Sequence, residues 1–125
     1  MKLIIGGAYQ GKREYAVREL GVAEESIFTC TPDALPDFTA PCLDRFEEFV
    51  RYCLDCGLDA RQILADRKEE WKDAVILFRE VFSGVVPVDE KTRAWREEAG
   101  RTATALAAQA ETVIRMFCGI PQVLR

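Results

Sequence analysis

The sequence predicts an α/β domain with a mainly parallel, helix-flanked sheet. Short apolar runs alternate along the chain with stretches that carry the period of amphipathic helices. The strongest strand signal, the unbroken apolar run 74–78, is typical of a strand buried on both faces in a parallel sheet. With 125 residues, 49% of them hydrophobic and 30% charged, the chain has the size and composition of one globular domain over residues 1–125.

The first half of the chain is predicted to hold two strands and three helices. The clearest helix carries an apolar stripe at i, i+3, i+4, i+7 and i+8, which predicts one buried face; the stripe consists of Phe46, Phe49, Val50, Cys53 and Leu54. Two prolines and two aspartates predict a loop after the second strand. In chain order the elements are strand 2–5, helix 11–20, strand 26–29, loop 31–37, helix 43–54 and helix 59–71.

The second half is predicted to hold three strands and one long helix. The helix spans 89–110, and its inward-facing residues are predicted to be Trp95, Ala99, Thr102, Ala103, Leu106 and Ala110. The elements are strand 74–78, loop 84–87, helix 89–110, strand 112–118, turn 119–121 and edge strand 122–124. The alternation of strands with helices implies right-handed crossovers and parallel pairing.

The composition excludes several classes of function. The chain has no histidine, which removes Ser-His-Asp triads, Cys-His dyads and histidine-containing zinc sites. Its net charge of −4, with the basic residues dispersed, argues against nucleic-acid binding. The apolar runs are too short to span a membrane. Five cysteines without a signal peptide indicate reduced thiols and a cytoplasmic location, and Cys53-x-x-Cys56 is interpreted as ordinary thiols.

The most specific motif follows the first strand and precedes the first helix. Residues 6–12 match G-x-x-x-x-G-K, the pattern of a phosphate-binding P-loop. Backbone N–H groups of such a loop form an anion site, and Lys12 would reach the β and γ phosphates. The alternative is that the glycines make only a tight strand-to-helix turn. The predicted nucleotide-binding residues are Gly6, Gly7, Ala8, Tyr9, Gln10, Gly11, Lys12 and Arg13.

The residue after Lys12 departs from the motif. A Ser or Thr there would hold Mg²⁺ through its hydroxyl, but the chain has Arg13. A guanidinium cannot ligate a cation, and it adds positive charge where the metal would sit. Arg13 therefore argues against a Mg²⁺ site, and no metal ligand is predicted, although phosphate binding can survive without the metal.

Three segments carry a resemblance to a known family. Residues 4–16 resemble the start of the adenosylcobinamide kinase / adenosylcobinamide-phosphate guanylyltransferase family, which opens with a strand and then G-G-A-R-S-G-K-S. Residues 75–87 are similar to the family's strand followed by N-E-V-G-x-G-I-V-P. Residues 93–101 resemble its R-x-[FY]-R-[DE]-x-x-G-R helix.

This resemblance implies a P-loop nucleotide-binding fold. It implies phosphorylation of adenosylcobinamide with ATP or GTP, followed by GMP transfer, in cobalamin biosynthesis. Lys12 matches the P-loop lysine, Glu80 the family's Glu at a strand end, and Asp44 its Walker-B-like acid, so these three are the predicted catalytic residues. The implied partners are a nucleoside triphosphate, a corrinoid small molecule and further copies of the chain in a homo-oligomer.

The sequence also departs from the family in ways that leave two hypotheses open. Arg13 replaces the P-loop Ser, and Arg79 replaces the Asn before Glu80. The segment that carries the family's guanylylated histidine is reduced here to 30–41, and the chain has no histidine. The first hypothesis is a cobinamide kinase-like protein that has lost the guanylyltransferase step. The alternative is a non-catalytic nucleotide- or phosphate-binding module derived from that family.

Overall fold

The computed structural model describes residues 1–81 and 89–125, which form a mixed α/β fold around a six-stranded sheet. The strand order across the sheet is β2-β3-β4-β1-β5-β6. The strands are β1 (Lys2–Gly6), β2 (Ile27–Thr29), β3 (Cys42–Asp44), β4 (Val75–Arg79), β5 (Thr112–Phe117) and β6 (Ile120–Val123). The helices are α1 (Lys12–Arg18), α2 (Phe46–Asp55), α3 (Ala60–Asp66), α4 (Lys68–Trp71) and α5 (Glu90–Gln109), and a 3₁₀ turn spans Glu24–Ser26.

The predicted parallel sheet is confirmed. Five strands run parallel, and β6 alone of the described strands runs antiparallel, against β5. Strand β1 lies at the centre, with Ile4 opposite Leu77 of β4 and Ile114 of β5. Residues 75–78 of β4 are buried, as the unbroken apolar run indicated. This arrangement brings the carboxyl ends of β1, β3 and β4 to one edge of the sheet.

The short strand β3 was missed by the sequence interpretation. The predicted helix 43–54 begins instead at Phe46, and Leu43 and Asp44 lie in β3 beside β4. The apolar period of α2 runs back into the strand without a break, so spacing could not separate the two elements. The predicted helix 59–71 is likewise two helices, α3 and α4, which meet at Arg67. The predicted loop 84–87 lies outside the described residues.

The main core lies between the sheet and helices α2, α3 and α5. The longest of these helices, α5, begins after Asp89, whose side chain caps it by accepting a hydrogen bond from the backbone N–H of Thr92. All six residues predicted to face inward from this helix are buried. A smaller cluster on the opposite face packs Ile4, Leu77 and Ile114 against Ala16 of α1. The sheet is therefore covered on both faces, as a parallel sheet requires.

The β5–β6 connection is a two-residue turn. Cys118 and Gly119 have φ values of 53° and 76°, and two positive φ values in succession are the signature of the tight hairpin turns that match strand twist. The predicted turn 119–121 is therefore shifted, since Ile120 and Pro121 belong to β6. At the two edges of the sheet, β2 is only partly covered and β6 is exposed along its length.

All five cysteines are free thiols, with Cys53 buried and Cys56 exposed. Among residues 1–81 and 89–125, no group of three or more acidic or thiol side chains is placed to hold a metal ion. Within the same residues, none of the helices combines the length and apolar character needed to cross a membrane.

Candidate functional site

The predicted P-loop connects β1 to α1 at the carboxyl edge of the parallel strands. Gly6 is the last residue of β1, and a Cβ built there would lie 2.6 Å from the backbone oxygen of Met116, so only glycine fits beside β5. Gly11 has a φ of 96°, which again favours glycine. Tyr9 has a φ of 58° and is fully exposed at the tip of the loop. The loop thus has the strand–loop–helix geometry that the motif predicted.

Lys12 folds back over the start of this loop. Its ammonium group donates hydrogen bonds to the carbonyl oxygens of Gly7, at 2.6 Å, and Gly6, at 3.2 Å. Partial burial lowers the pKa of Lys12, and the carboxylates of Glu47 and Asp44 act in the opposite direction. An ammonium has three N–H groups, so Lys12 keeps donor capacity for an anion lying on the loop.

The loop forms one wall of a cleft of about 330 Å³. The opposite wall consists of the ends of β3 and β4 and the start of α2. Polar and charged groups of several elements converge on this space, which is the usual property of a binding site at the carboxyl edge of a parallel sheet. The lining residues are Ala8, Tyr9, Gln10, Gly11, Lys12, Arg13, Glu14, Asp44, Arg45, Glu47 and Arg79.

A larger groove of about 750 Å³ lies elsewhere, between β1 and α5. Its walls are mostly small and apolar, including Leu3, Ile5, Ala103 and Ala107. It contains neither the P-loop nor any predicted catalytic residue. We therefore take the smaller P-loop cleft as the candidate site, because convergent polar groups characterise a binding site better than volume does.

Arg13 and Asp44 meet across the cleft. Arg13 Nη1 lies 3.2 Å from Asp44 Oδ2, and Arg13 Nε lies 3.7 Å from Glu24 Oε1. The other carboxylate oxygen of Asp44 accepts the backbone N–H of Arg45 at 2.8 Å. The structure thus places Asp44 beside the P-loop, with both of its carboxylate oxygens accepting hydrogen bonds from nitrogen donors. Its predicted catalytic role stays a prediction.

Glu47 and Arg79 are site residues that the sequence interpretation did not assign. Glu47 is 1% exposed, and its Oε1 accepts the backbone N–H of Arg79 at 3.0 Å, while Oε2 lies 3.8 Å from Arg79 Nε. Burial raises the pKa of Glu47, and the hydrogen bond from Arg79 and the charge of Arg79 oppose that effect. The sequence did carry a signal for the burial of Glu47, because this residue lies three positions before the buried Val50 and beside the apolar stripe of α2.

Glu80 lies next to the cleft but does not line it. Its backbone N–H donates to the carbonyl of Gly6 at 2.9 Å, which places it at the end of β1. Its carboxylate pairs with Arg115 of β5, with 3.0 Å between Oε1 and Nε, and its side chain is 10% exposed. The structure therefore groups Lys12 with Asp44 around the cleft and directs the Glu80 carboxylate towards β5. Its predicted catalytic role stays a prediction.

Gln10 ties the P-loop to the β5–β6 turn. Its side-chain Oε1 accepts the backbone N–H of Cys118 at 2.6 Å, and its carbonyl accepts the N–H of Gly119 at 3.1 Å. The three non-glycine residues with positive φ among those described are Tyr9, Arg45 and Cys118. All three lie in the loop, on the cleft wall or in the turn that contacts the loop. Such backbone conformations often mark functional sites.

Comparison with known proteins connects this site to a family. The model of the family described as "Cobinamide kinase / cobinamide phosphate guanyltransferase" matches residues 43–124. The chain belongs to the cobinamide kinase / cobinamide phosphate guanyltransferase family. A comparison with curated protein sequences finds no match.

Family membership confirms the suspected relationship and supports a cobinamide kinase/guanyltransferase-like role in cobalamin biosynthesis. The matched residues begin in β3, so they include Asp44 and Glu80 but not the loop 6–12. The family assignment and the P-loop geometry are therefore two separate observations. Both concern the same cleft, because the matched segment supplies one of its walls and the P-loop supplies the other.

Proposed function

We propose that the chain binds a nucleoside triphosphate in the P-loop cleft and transfers a phosphoryl group to adenosylcobinamide. The observation that carries this proposal is the Lys12 ammonium at the loop carbonyls, facing a cleft whose other wall belongs to the family-matched segment. ATP and GTP are both candidate donors. A corrinoid is the proposed acceptor because the family acts on cobinamide.

The proposed chemistry is positional and electrostatic. The backbone N–H groups of residues 6–12 hold the phosphates, and Lys12 stabilises the negative charge that develops on the transferred group. The bond from the γ phosphorus to the bridging oxygen breaks, and a bond from that phosphorus to the acceptor hydroxyl oxygen forms. The hydroxyl proton passes to a carboxylate, for which Asp44 and Glu80 are the candidates. The guanylyltransferase step is proposed to be lost, because the chain has no histidine to carry GMP.

A kinase assay tests this proposal directly. Purified protein is incubated with adenosylcobinamide and ATP or GTP, with and without added Mg²⁺, and the phosphorylated corrinoid is measured by mass spectrometry. Lys12→Ala is expected to abolish product and to weaken nucleotide binding. The control is Lys68→Ala at an exposed position of α4, which removes the same charge away from the cleft. Equal activity of Lys12→Ala and Lys68→Ala would contradict the proposal.

The second candidate is a non-catalytic nucleotide- or phosphate-binding module. The ion pair between Arg13 and Asp44 favours this second candidate, because the ion pair occupies Asp44, the acid that a kinase of this type would use. The same assay separates the two candidates. Nucleotide binding that depends on Lys12 without any phosphorylated corrinoid would favour the module.

We further propose that the chain forms a homo-oligomer through the β5–β6 hairpin. Among the strands of residues 1–81 and 89–125, β6 is an edge strand with one unpaired side, and such edges pair readily with other chains. The hairpin also exposes large apolar side chains; these are Phe117, Ile120, Val123 and Leu124. Light scattering coupled to size exclusion would reveal an oligomer that the double variant Ile120→Lys/Val123→Lys reduces to a monomer. A monomeric wild type would refute this.

A cytoplasmic location is also proposed, because the thiols are unpaired. Burial raises the pKa of Cys30, Cys42 and Cys53 to about 12, which keeps these three protonated and unreactive. A thiol titration of the native protein is expected to detect the exposed Cys56 and Cys118 first. Disulfides in protein isolated under non-reducing conditions with thiols blocked would argue against this location.

A further inference from the structure

Arg13 places a positive charge in the P-loop cleft next to that of Lys12. Arg13 lies directly after Lys12, where a hydroxyl residue would hold Mg²⁺ in P-loop enzymes. Its guanidinium is held from two sides, by Asp44 at 3.2 Å and Glu24 at 3.7 Å. Asp44 is in turn oriented by the backbone N–H of Arg45. The position of this positive charge is therefore set by contacts within the fold.

The residues present do not fit a divalent cation. Mg²⁺ requires oxygen ligands in a near-octahedral arrangement, and the hydroxyl that the motif would provide is absent. Asp44, the acid on the cleft wall, already accepts hydrogen bonds at both oxygens. A metal ion beside Asp44 would also stand next to the guanidinium of Arg13, and like charges at such short range repel strongly in a partly buried site.

We propose that the guanidinium of Arg13 takes the place of the divalent cation, so that the cleft binds polyphosphate as the metal-free anion. This inference rests on the proposed nucleotide-binding function and names the ionic form of the ligand. A guanidinium has five N–H donors in a planar fork, and phosphate oxygens match that fork. The contacts with Asp44 and Glu24 use some of the N–H donors of Arg13. Its side chain is 41% exposed, so the other donors can reach a ligand in the cleft.

The charge of the cleft agrees with an anionic ligand. Four cationic side chains line it, and they are Lys12, Arg13, Arg45 and Arg79. Three carboxylates lie among the same residues, and they are Glu14, Asp44 and Glu47. Asp44 and Glu47 each face an arginine, so they position the guanidinium groups. A metal-free triphosphate keeps the negative charge that Mg²⁺ would neutralise, and the arginines are placed to complement it.

Calorimetric titration of two probes tests the proposal. The probes are ATP and inorganic tripolyphosphate, each titrated into the full chain in EDTA and in excess Mg²⁺. The variants are Arg13→Ser, which restores the hydroxyl, and Arg18→Ser, a matched control at the exposed end of the same helix. Thermal unfolding of each variant verifies that the fold is intact.

We expect wild type and Arg18→Ser to bind both probes in EDTA at least as tightly as in Mg²⁺. Arg13→Ser is expected to weaken binding in EDTA by roughly tenfold or more, the effect of losing one charged hydrogen-bond donor. It is also expected to bind ATP more tightly when Mg²⁺ is added.

The outcomes separate this inference from the proposed function. If wild type binds ATP tenfold more tightly with Mg²⁺, or if Arg13→Ser leaves binding in EDTA unchanged, the inference is overturned and nucleotide binding stands. If tripolyphosphate binds in EDTA and ATP does not, the inference stands and the nucleotide function is overturned. If neither probe binds under either condition, both are overturned.

Discussion

The buried carboxylate of Glu47 accepts the backbone N–H of Arg79, with 3.0 Å between Oε1 and N. This bond joins the first turn of α2 to the end of β4. The backbone oxygen of Glu47 also accepts the indole N–H of Trp95 at 2.8 Å, which adds α5 to the same junction. Three elements that form or support the cleft are thus connected through one residue.

This junction predicts an unusual dependence of stability on pH. The pKa of Glu47 is raised from 4.5, chiefly by burial, so the folded state binds its proton more tightly than the unfolded state does. The stabilising contribution is complete below about pH 4.5 and is lost as the pH rises through the raised value. Glu47→Gln keeps an acceptor for Arg79 without the charge. Its stability relative to wild type should therefore increase from pH 4.5 to pH 8 in urea unfolding.

A second variant of Glu47 tests the hydrogen bond itself, and a variant of Glu48 serves as the control. Glu47→Leu should destabilise the protein by about 1–3 kcal/mol, because the N–H of Arg79 loses its acceptor in a partly buried position. Glu48→Gln, the neighbouring acid, removes a charge without touching this bond. If Glu48→Gln changes the pH profile as much as Glu47→Gln does, the assignment to Glu47 is wrong.

Gly6→Ala should weaken the contact between β1 and β5. A Cβ at Gly6 would lie 2.6 Å from the backbone oxygen of Met116, which cannot move without displacing the strand. We expect a loss of about 1–3 kcal/mol in the free energy of unfolding, the typical range for overpacking. Gly7→Ala is the matched control, because the nearest atom there is Gln10 Cγ at 3.5 Å. Comparable losses for the two variants in urea unfolding would contradict this explanation.

Gln10→Ala should loosen the P-loop without unfolding the domain. It removes the acceptor for the Cys118 N–H, whereas the bond from Gly119 to the Gln10 carbonyl remains. Nucleotide affinity should fall by roughly threefold to tenfold, consistent with one lost hydrogen bond. Calorimetric titration measures the affinity, and a thermal melt measures stability. Gln122→Ala on exposed β6 should change neither quantity.

The pair formed by Glu80 and Arg115 should contribute to stability more than to nucleotide binding. Glu80 is not among the residues that line the cleft, and its carboxylate lies 3.0 Å from Arg115. A double-mutant cycle of Glu80→Gln and Arg115→Gln should give a coupling energy of about 0.5–1 kcal/mol, because Arg115 is partly exposed to solvent. ATP affinity should stay unchanged in both variants. A large loss of affinity in Glu80→Gln alone would place Glu80 in the nucleotide site.

Local patterns in the sequence were enough to predict the main strands and helices, the P-loop motif and the family. The apolar run before Arg79 predicted β4, and the helical stripe ending at Ala110 predicted α5 with its buried face. Each of these signals repeats over many residues, so a single exception does not erase it. The P-loop motif is also a local signal, since its glycines and Lys12 all lie within residues 6–12. The family resemblance also required only the order of residues along the chain, and the family match confirms it.

Tertiary structure alone decided how the cleft is organised. Strand β3 has three residues and only becomes a strand by pairing between β2 and β4, so its signal is not local. Arg13 and Asp44 are 31 positions apart, and Glu47 and Arg79 are 32 apart. Neither partnership follows from spacing, because the sheet order β3-β4-β1 brings these residues together. The sequence showed that Arg13 occupies the position of a metal-binding hydroxyl residue. That Asp44 pairs with the Arg13 guanidinium in the cleft follows only from the fold.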